Sequence, residues 1–297
     1  MLINGIDYTK CIDCELCVKV CPVILYSIDE NKPKDKVVFN NPHKRCIQCG
    51  HCIAVCPKEA IKYEGADEPF SFENASNIKG IVSYNDLLKA IRIRRSMRVF
   101  KDEPVPKEQI ESILEAMRYA PSASNRQGWR YLVITNKSEI KYLENESMKF
   151  FKMARKALPF RYLIAPFVSK TARRRIRNPK VKLHLDESLA RWKAGKDIIF
   201  FDAPCVIILY SRVYANKIEA NDAGIALTHG MLAAQALGLG TCWIGFAQRR
   251  LQNKKKLRKH FGIPKGSQVM GVIIVGKPAV KYQRGPPRRP LKVRWLE

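Results

Sequence analysis

From residue 84 onward, apolar positions alternate between helical spacing and short uninterrupted runs. Leu87, Leu88 and Ile91 recur at helical intervals, and Ile110, Ile113, Leu114 and Met117 do so again between Pro106 and Pro121. Residues 129–135 read as a strand, Ser138 opens a further helix, and residues 187–200 suggest another. Residues 204–210 (Pro-Cys-Val-Ile-Ile-Leu-Tyr) are apolar without alternation, which predicts a strand covered on both faces. Residues 216–237 carry the longest helical pattern, rich in Ala, and such small side chains permit close packing against a second helix. Residues 241–246 and 268–275 supply two more strands. Helices alternating with short apolar strands predict a sheet domain of α/β or α+β type. The pattern breaks over about 152–185, where apolar patches alternate with dense Lys and Arg and no acid precedes Asp186. A basic insertion is expected there, with a solvated face as its default reading and its own helix, a flexible arm or an anionic surface as its alternatives.

The first sixty residues have a different character, because cysteine spacing organises them. Cys11, Cys14, Cys17 and Cys21 precede Pro22, and Cys46, Cys49, Cys52 and Cys56 precede Pro57, using eight of the ten cysteines. Three thiolates at this spacing can turn from one loop onto one face of an iron–sulfur cubane, and the fourth ligand comes from elsewhere. In two-cluster arrangements the last cysteine of each run crosses to the other cluster. One [4Fe–4S] cluster then takes Cys11, Cys14, Cys17 and Cys56, and the other takes Cys46, Cys49, Cys52 and Cys21. Structural zinc pairs its cysteines as two separated couples, and disulfide frameworks belong to secreted chains, so neither explains a third thiol at the same interval. Ile12, Leu16, Val18, Val20, Ile47, Ile53 and Val55 are expected to wrap the clusters. Over this stretch the chain resembles bacterial-type two-cluster ferredoxins. The spacer from Pro22 to Arg45 is longer than such ferredoxins require, which predicts an extra hairpin or loop.

A formal charge of +27 changes the picture of partners. Basic runs at residues 152–182, 249–259 and 277–294 should draw acidic partners at low ionic strength. Nucleic acid is the weaker reading, since no binding motif accompanies the charge. Acidic electron carriers fit the cysteine runs better. No apolar run approaches a membrane span, and without a targeting segment the expected location is a reducing cytoplasm.

Three further segments carry candidate chemistry. Arg94, Ser96 and Arg98 can present two guanidinium forks and a hydroxyl to a phosphate dianion. The loop Pro121, Ser122, Ala123, Ser124, Asn125 offers hydroxyls and an amide to ring edges or a sugar-like chain. Gly238, Gly240 and Gly245 have the wrong spacing and position for a dinucleotide fingerprint, which excludes a Rossmann nicotinamide site. Arg94–Arg95–Ser96–Met97–Arg98, the stretch from Pro121 to Trp129 and that from Gly238 to Phe246, in this order, resemble the FMN-binding nitroreductase family over nearly all of residues 84–297.

That resemblance implies a phosphate site at Arg94, Ser96 and Arg98, with Arg95 beside the flavin. It implies Ile244 and Gly245 against the flavin ring, and Arg288 or Arg289 completing the phosphate pocket. It also implies that the loop at 121–125 reaches the flavin of the opposite subunit, hence an obligate homodimer. The chain departs from the family at Gly128, where proline is usual. Cys205 and Cys242 read as small packing residues, and no side chain outside the cofactor sites is assignable as catalytic.

Taken together, the fold is expected to be α+β: a small two-cluster ferredoxin fold over residues 1–64, a linker at 65–83, and a nitroreductase-type mixed sheet flanked by helices at 84–297, with FMN at the homodimer interface. The function implied is an FMN-dependent oxidoreductase that passes electrons from a ferredoxin- or flavodoxin-like carrier through two clusters to FMN. The acceptor is expected to be a nitroaromatic, a quinone or an activated alkene. One alternative has NAD(P)H reduce the flavin and the clusters feed a protein partner. Another, of a different class, is a redox-sensing nucleic-acid binder.

Overall fold

The computed structural model describes residues 1–72, 75, 77–167, 170, 173–174, 178, 180–212 and 218–296. The chain forms two units, one of residues 1–83 with 122–127 and one of residues 84–121 with 128–297.

In the first unit, β1 (Leu2–Ile6) pairs antiparallel with β4 (Ile61–Glu64), and β2 (Tyr26–Ile28) with β3 (Val37–Phe39). The second pair is the hairpin that the long spacer predicted. Two five-residue helices, Leu16–Val20 and His51–Val55, each contain the third cysteine of a run and end at the fourth. Asp13 and Glu15 in the first run, and Gln48 and Gly50 in the second, adopt left-handed backbone conformations. Left-handed residues between successive cysteines curl each loop on itself, so that its thiols face one interior. Such positions cost of order 1 kcal/mol each for a residue with a Cβ, a strain that bound clusters would offset. The apolar core is small: Ile3, Ile6, Leu25, Val37, Ala60 and Ile61 supply most of it.

In the second unit, β5 (Trp129–Ile134), β6 (Cys205–Arg212), β8 (Ser267–Gly276) and β7 (Gly240–Trp243) lie in that order, each pair antiparallel. A parallel bridge between Ser96 and Thr241 extends the β7 edge and makes the sheet mixed. Val206, Ile208, Val272 and Ile274 face one layer of helices, formed around Leu143, Met148, Phe151 and Leu251. Ile207, Leu209, Ile273 and Val275 face the other, formed by the helices Lys107–Arg118 and Glu219–Ala236. Burial on both faces is the physical reason these strands read as unbroken apolar runs. The Ala-rich helix packs closely: a Cβ at Gly230 would stand 2.6 Å from Met117 Cγ.

Two expected elements differ in extent. The helix expected at 187–200 occupies Lys180–Lys193. Gly195 then turns left-handed, and the Asp197 carboxylate accepts from the backbone N–H groups of Ile199, Phe200 and Asp202, which stabilises a turn instead of helix. The strand expected at 241–246 ends at Trp243: Ile244 makes one last bond in register, its N–H to Val272, and an amphipathic helix, Gly245–Asn253, then begins with Ala247 and Leu251 buried four residues apart. The basic insertion starts as the end of the helix Lys137–Ala157 and continues as short helical turns through Phe167. Its residues 168–169, 171–172, 175–177 and 179 lie outside the described residues, as does the expected helix start at 216. No described helix is long and apolar enough to cross a membrane.

Candidate functional site

The eight cysteines of the two runs line two separate cavities. Cys11, Cys14, Cys17 and Cys56 line one. Cys21, Cys46, Cys49 and Cys52 line the other. Each run thus lends its fourth cysteine to the other's cavity, because each short helix carries that residue across the small core. The thiols ring these spaces instead of closing on a point, and among the described residues no three His, Cys, Asp or Glu side chains converge on a single ion. A cubane with iron and sulfide between the thiolates suits that spacing.

Backbone N–H groups are already aimed at the sulfurs. Leu25 donates to Cys21 Sγ at 3.4 Å, Gln48 to Cys46 Sγ at 3.4 Å and Ala60 to Cys56 Sγ at 3.2 Å. Burial pushes the Cys17 thiol up to about 11 and also raises Cys11 and Cys52. Iron must therefore displace protons from these sulfurs on binding, which makes assembly favoured at higher pH.

Ser122–Gln127 folds with this unit. The segment contains a 3-10 turn, Ala123–Asn125, with Ser124, Asn125 and Gln127 left-handed. Ser122 Oγ accepts from the Gln127 N–H at 3.0 Å, and the Asn125 side chain donates to the Gln48 carbonyl at 2.7 Å. The loop residues expected at a flavin therefore spend part of their polar capacity within the first unit, a placement the sequence pattern did not signal. Gly128, where the family usually has proline, has its own reason. Its carbonyl accepts from Ser211 Oγ at 3.1 Å, and a Cβ there would stand 3.2 Å from that oxygen.

The second unit holds two adjoining clefts that share Ile93, Arg94 and Gly285. One is lined by Arg94, Arg95, Met231, Gln235, Thr241 and Tyr282 among others. The other has Lys89, Arg92, Arg94 and Arg288 in its lining and no acid. Met97 donates its N–H to the Thr241 carbonyl at 2.9 Å, pinning the Arg-rich segment to the sheet edge. The Arg95 guanidinium donates to the Arg284 carbonyl and lies 3.9 Å over the Tyr282 ring, so its fork is engaged. Arg98 faces the Phe201 ring at 5.8 Å and lines neither cleft; Arg289 lies outside both linings as well. Ile244 is buried at the start of its helix, and the space over Gly245 is open, with nothing within 4 Å of a Cβ placed there. Gly285 closes the first cleft: a Cβ would stand 2.8 Å from the Arg92 carbonyl oxygen. Lys89, Arg92, Gln235 and Tyr282 were missed by sequence reasoning, since residues scattered over three distant segments make no motif. Cys205 and Cys242 are buried in strands, in keeping with packing roles.

Residues 91–277 match the nitroreductase family, and residues 10–60 match the 4Fe-4S dicluster domain. The chain belongs to the nitroreductase family and carries a dicluster ferredoxin domain ahead of the family fold. It is 27% identical over 65% of its length, and 86% of the relative's, to an Archaeoglobus fulgidus protein that bears the double name NADH dehydrogenase/NAD(P)H nitroreductase. It is 32% identical over 51% of its length to the nitrobenzene nitroreductase of Ectopseudomonas oleovorans, covering 70% of that protein. A nitroreductase with bound FMN from Desulfitobacterium hafniense superposes with a TM-score of 0.55 at 24% identity, over 72% of this chain and 99% of that one. At that identity the likeness speaks to the fold.

Proposed function

We propose that this family member is an FMN-dependent oxidoreductase in which two [4Fe–4S] clusters deliver electrons to the flavin and the flavin reduces a small organic acceptor. The carrying observation is the coexistence in one chain of two four-cysteine cavities and an acid-free cationic cleft. The four thiols of each cavity hold one cluster, Cys11, Cys14, Cys17 and Cys56 the first and Cys21, Cys46, Cys49 and Cys52 the second.

FMN supplies the junction, since a flavin exchanges electrons singly or in pairs. The chain's part is to bind and orient it. Arg94, with Arg92, Lys89 and Arg288 in the same lining, offers fixed positive charge to the phosphate dianion. Ser96 adds a hydroxyl on the segment bridged to Thr241. The open space above Gly245 lets a flat ring approach backbone at the helix start, with Ile244 beside it. Arg95, Arg98, Arg289 and residues 121–125 contribute in the manner of the family, the last group within a homodimer. A nitroaromatic, a quinone or an activated alkene suits an acceptor bound over an exposed flavin face.

The names of the relatives favour NAD(P)H as a second possible electron source, with the clusters then serving a protein partner. Anaerobic stopped-flow mixing separates the two directions. Reduced ferredoxin or flavodoxin should bleach the clusters before the flavin. Rapid flavin reduction by NADH or NADPH, with the clusters reduced afterwards, would sink the carrier-fed direction.

A further inference from the structure

The two cysteine runs are copies offset by thirty-five positions, and the offset extends beyond the cysteines. Leu25 and Ala60 are equivalents, each donating its N–H to the fourth cysteine of its run. Ile24 and Glu59 are equivalents, both left-handed. By the same offset Tyr26 on β2 corresponds to Ile61 on β4, and here the copies part company. Ile61 presents only carbon to the first cavity. Tyr26 lines the second cavity, is 3% exposed, and its hydroxyl has no hydrogen-bond partner.

Other features widen the difference. Tyr8, the tyrosine next to the first run, donates its hydroxyl to the Val37 carbonyl at 3.1 Å. The Asp13 carboxylate stands 3.9 Å from Cys11 Sγ, adding negative charge beside the first cavity. Glu15 and Lys58 line that cavity with opposite charges, and His51 lines the second. Of the three N–H donors, two reach sulfurs of the second cavity, Cys21 and Cys46, and one a sulfur of the first, Cys56. Hydrogen bonds to cluster sulfur and local charge are two of the levers that set a cluster's potential.

We propose that the Tyr26 hydroxyl donates a hydrogen bond to sulfur of the cluster held by Cys21, Cys46, Cys49 and Cys52, making it the higher-potential member of the pair and the resting place of an electron entering this unit. The step moves one electron: a reduced one-electron carrier is oxidised, and the second cluster holds the electron until the flavin takes it. Pairing with Phe39 across the hairpin, at 5.0 Å between ring centroids, holds the phenol in place.

This inference rests on the cluster reading above, and the experiment separates the two. Full-length protein is purified anaerobically, iron and sulfide are counted, and both clusters are titrated with dithionite under electron paramagnetic resonance. Fewer than about eight irons per chain overturns the cluster reading itself. With clusters complete, Tyr26→Phe should lower the higher of the two potentials and leave the lower one in place. The partition of the electron between clusters should shift by about tenfold, equal to about 59 mV for a one-electron couple. An unchanged higher potential, or a shift in the lower one, overturns the proposal. If Tyr26→Phe does not load both clusters, the wild type decides. Reduced protein exchanged into D2O should show a strongly coupled exchangeable deuteron by electron–nuclear double resonance, beyond those of the peptide donors, and its absence refutes the hydrogen bond.

Discussion

The side-chain amide of Asn125 donates a 2.7 Å hydrogen bond to the carbonyl of Gln48, whose own N–H points at Cys46 Sγ. Both residues belong to the first unit, although Asn125 lies far along the chain in the region that matches the nitroreductase family. Asn125→Ala removes a bond with a net value of about 1 kcal/mol. Hydrogen exchange should speed up by roughly fivefold at residues 46–50 and 122–127 together. Faster exchange at 122–127 alone would show that the bond does not hold the cysteine loop.

Arg94 is the one arginine of its run that borders both clefts, whereas Arg98 borders neither. A charge-assisted bond to phosphate contributes about 1.5–3 kcal/mol, so Arg94→Ala should weaken FMN binding by roughly ten- to a hundredfold. Arg98→Ala should weaken it less, and cluster absorbance should persist in both. Equal losses in fluorescence titrations with FMN would contradict this ranking.

The crossing of the fourth cysteines makes a pattern testable by substitution. Cys21→Ala and Cys49→Ala should remove the same spectroscopic signal, and Cys56→Ala the other, although Cys21 sits in the first run. Loss of the same signal in Cys21→Ala and Cys14→Ala would reverse the assignment.

Gly285 leaves no room for a side chain against the Arg92 carbonyl. Gly285→Ala must push the C-terminal segment off the first cleft, at a cost of about 1–3 kcal/mol. FMN affinity should fall while the iron content stays unchanged, as measured on the same preparation.

Glu146 pairs with Arg250 at 2.9 Å and with Lys149, the first two side chains being 14% and 9% exposed. Burial opposes the Glu146 charge, but Lys149 and Arg250 outweigh it and hold the carboxyl below its ordinary value. A lowered folded-state value contributes stability that is present above the usual carboxylate range and is lost as pH falls through the folded value. Glu146→Gln leaves Arg250 half paired and should cost about 3 kcal/mol near neutrality. The gap from wild type, followed by circular dichroism in urea, should narrow below about pH 4.

Where the chemistry needed a local pattern, it was legible in the chain. Cysteine spacing announced both clusters because three ligands of each come from one loop. The spacer's extra length announced the hairpin of Tyr26–Ile28 and Val37–Phe39. The apolar run of β6 announced a sheet covered on both faces. Element ends were less legible: Asp197 holds a turn with its side chain where helix was expected, and after Ile244 makes a last in-register bond to Val272 the chain turns into a helix. Such choices hinge on single polar groups, which periodicity does not register.

Composition and spacing were therefore enough for the family and the cofactor types, since those follow from residue identity over short stretches. Long-range contacts set the rest. Folding brings Lys89, Arg92, Arg94 and Arg288 around one cleft, attaches residues 122–127 to the cysteine unit, and buries the Tyr26 hydroxyl at one cavity while its repeat partner Ile61 offers carbon to the other. The physical reason is that charge convergence and hydroxyl desolvation are properties of neighbours in space, and those neighbours are separated along this chain by tens to hundreds of residues.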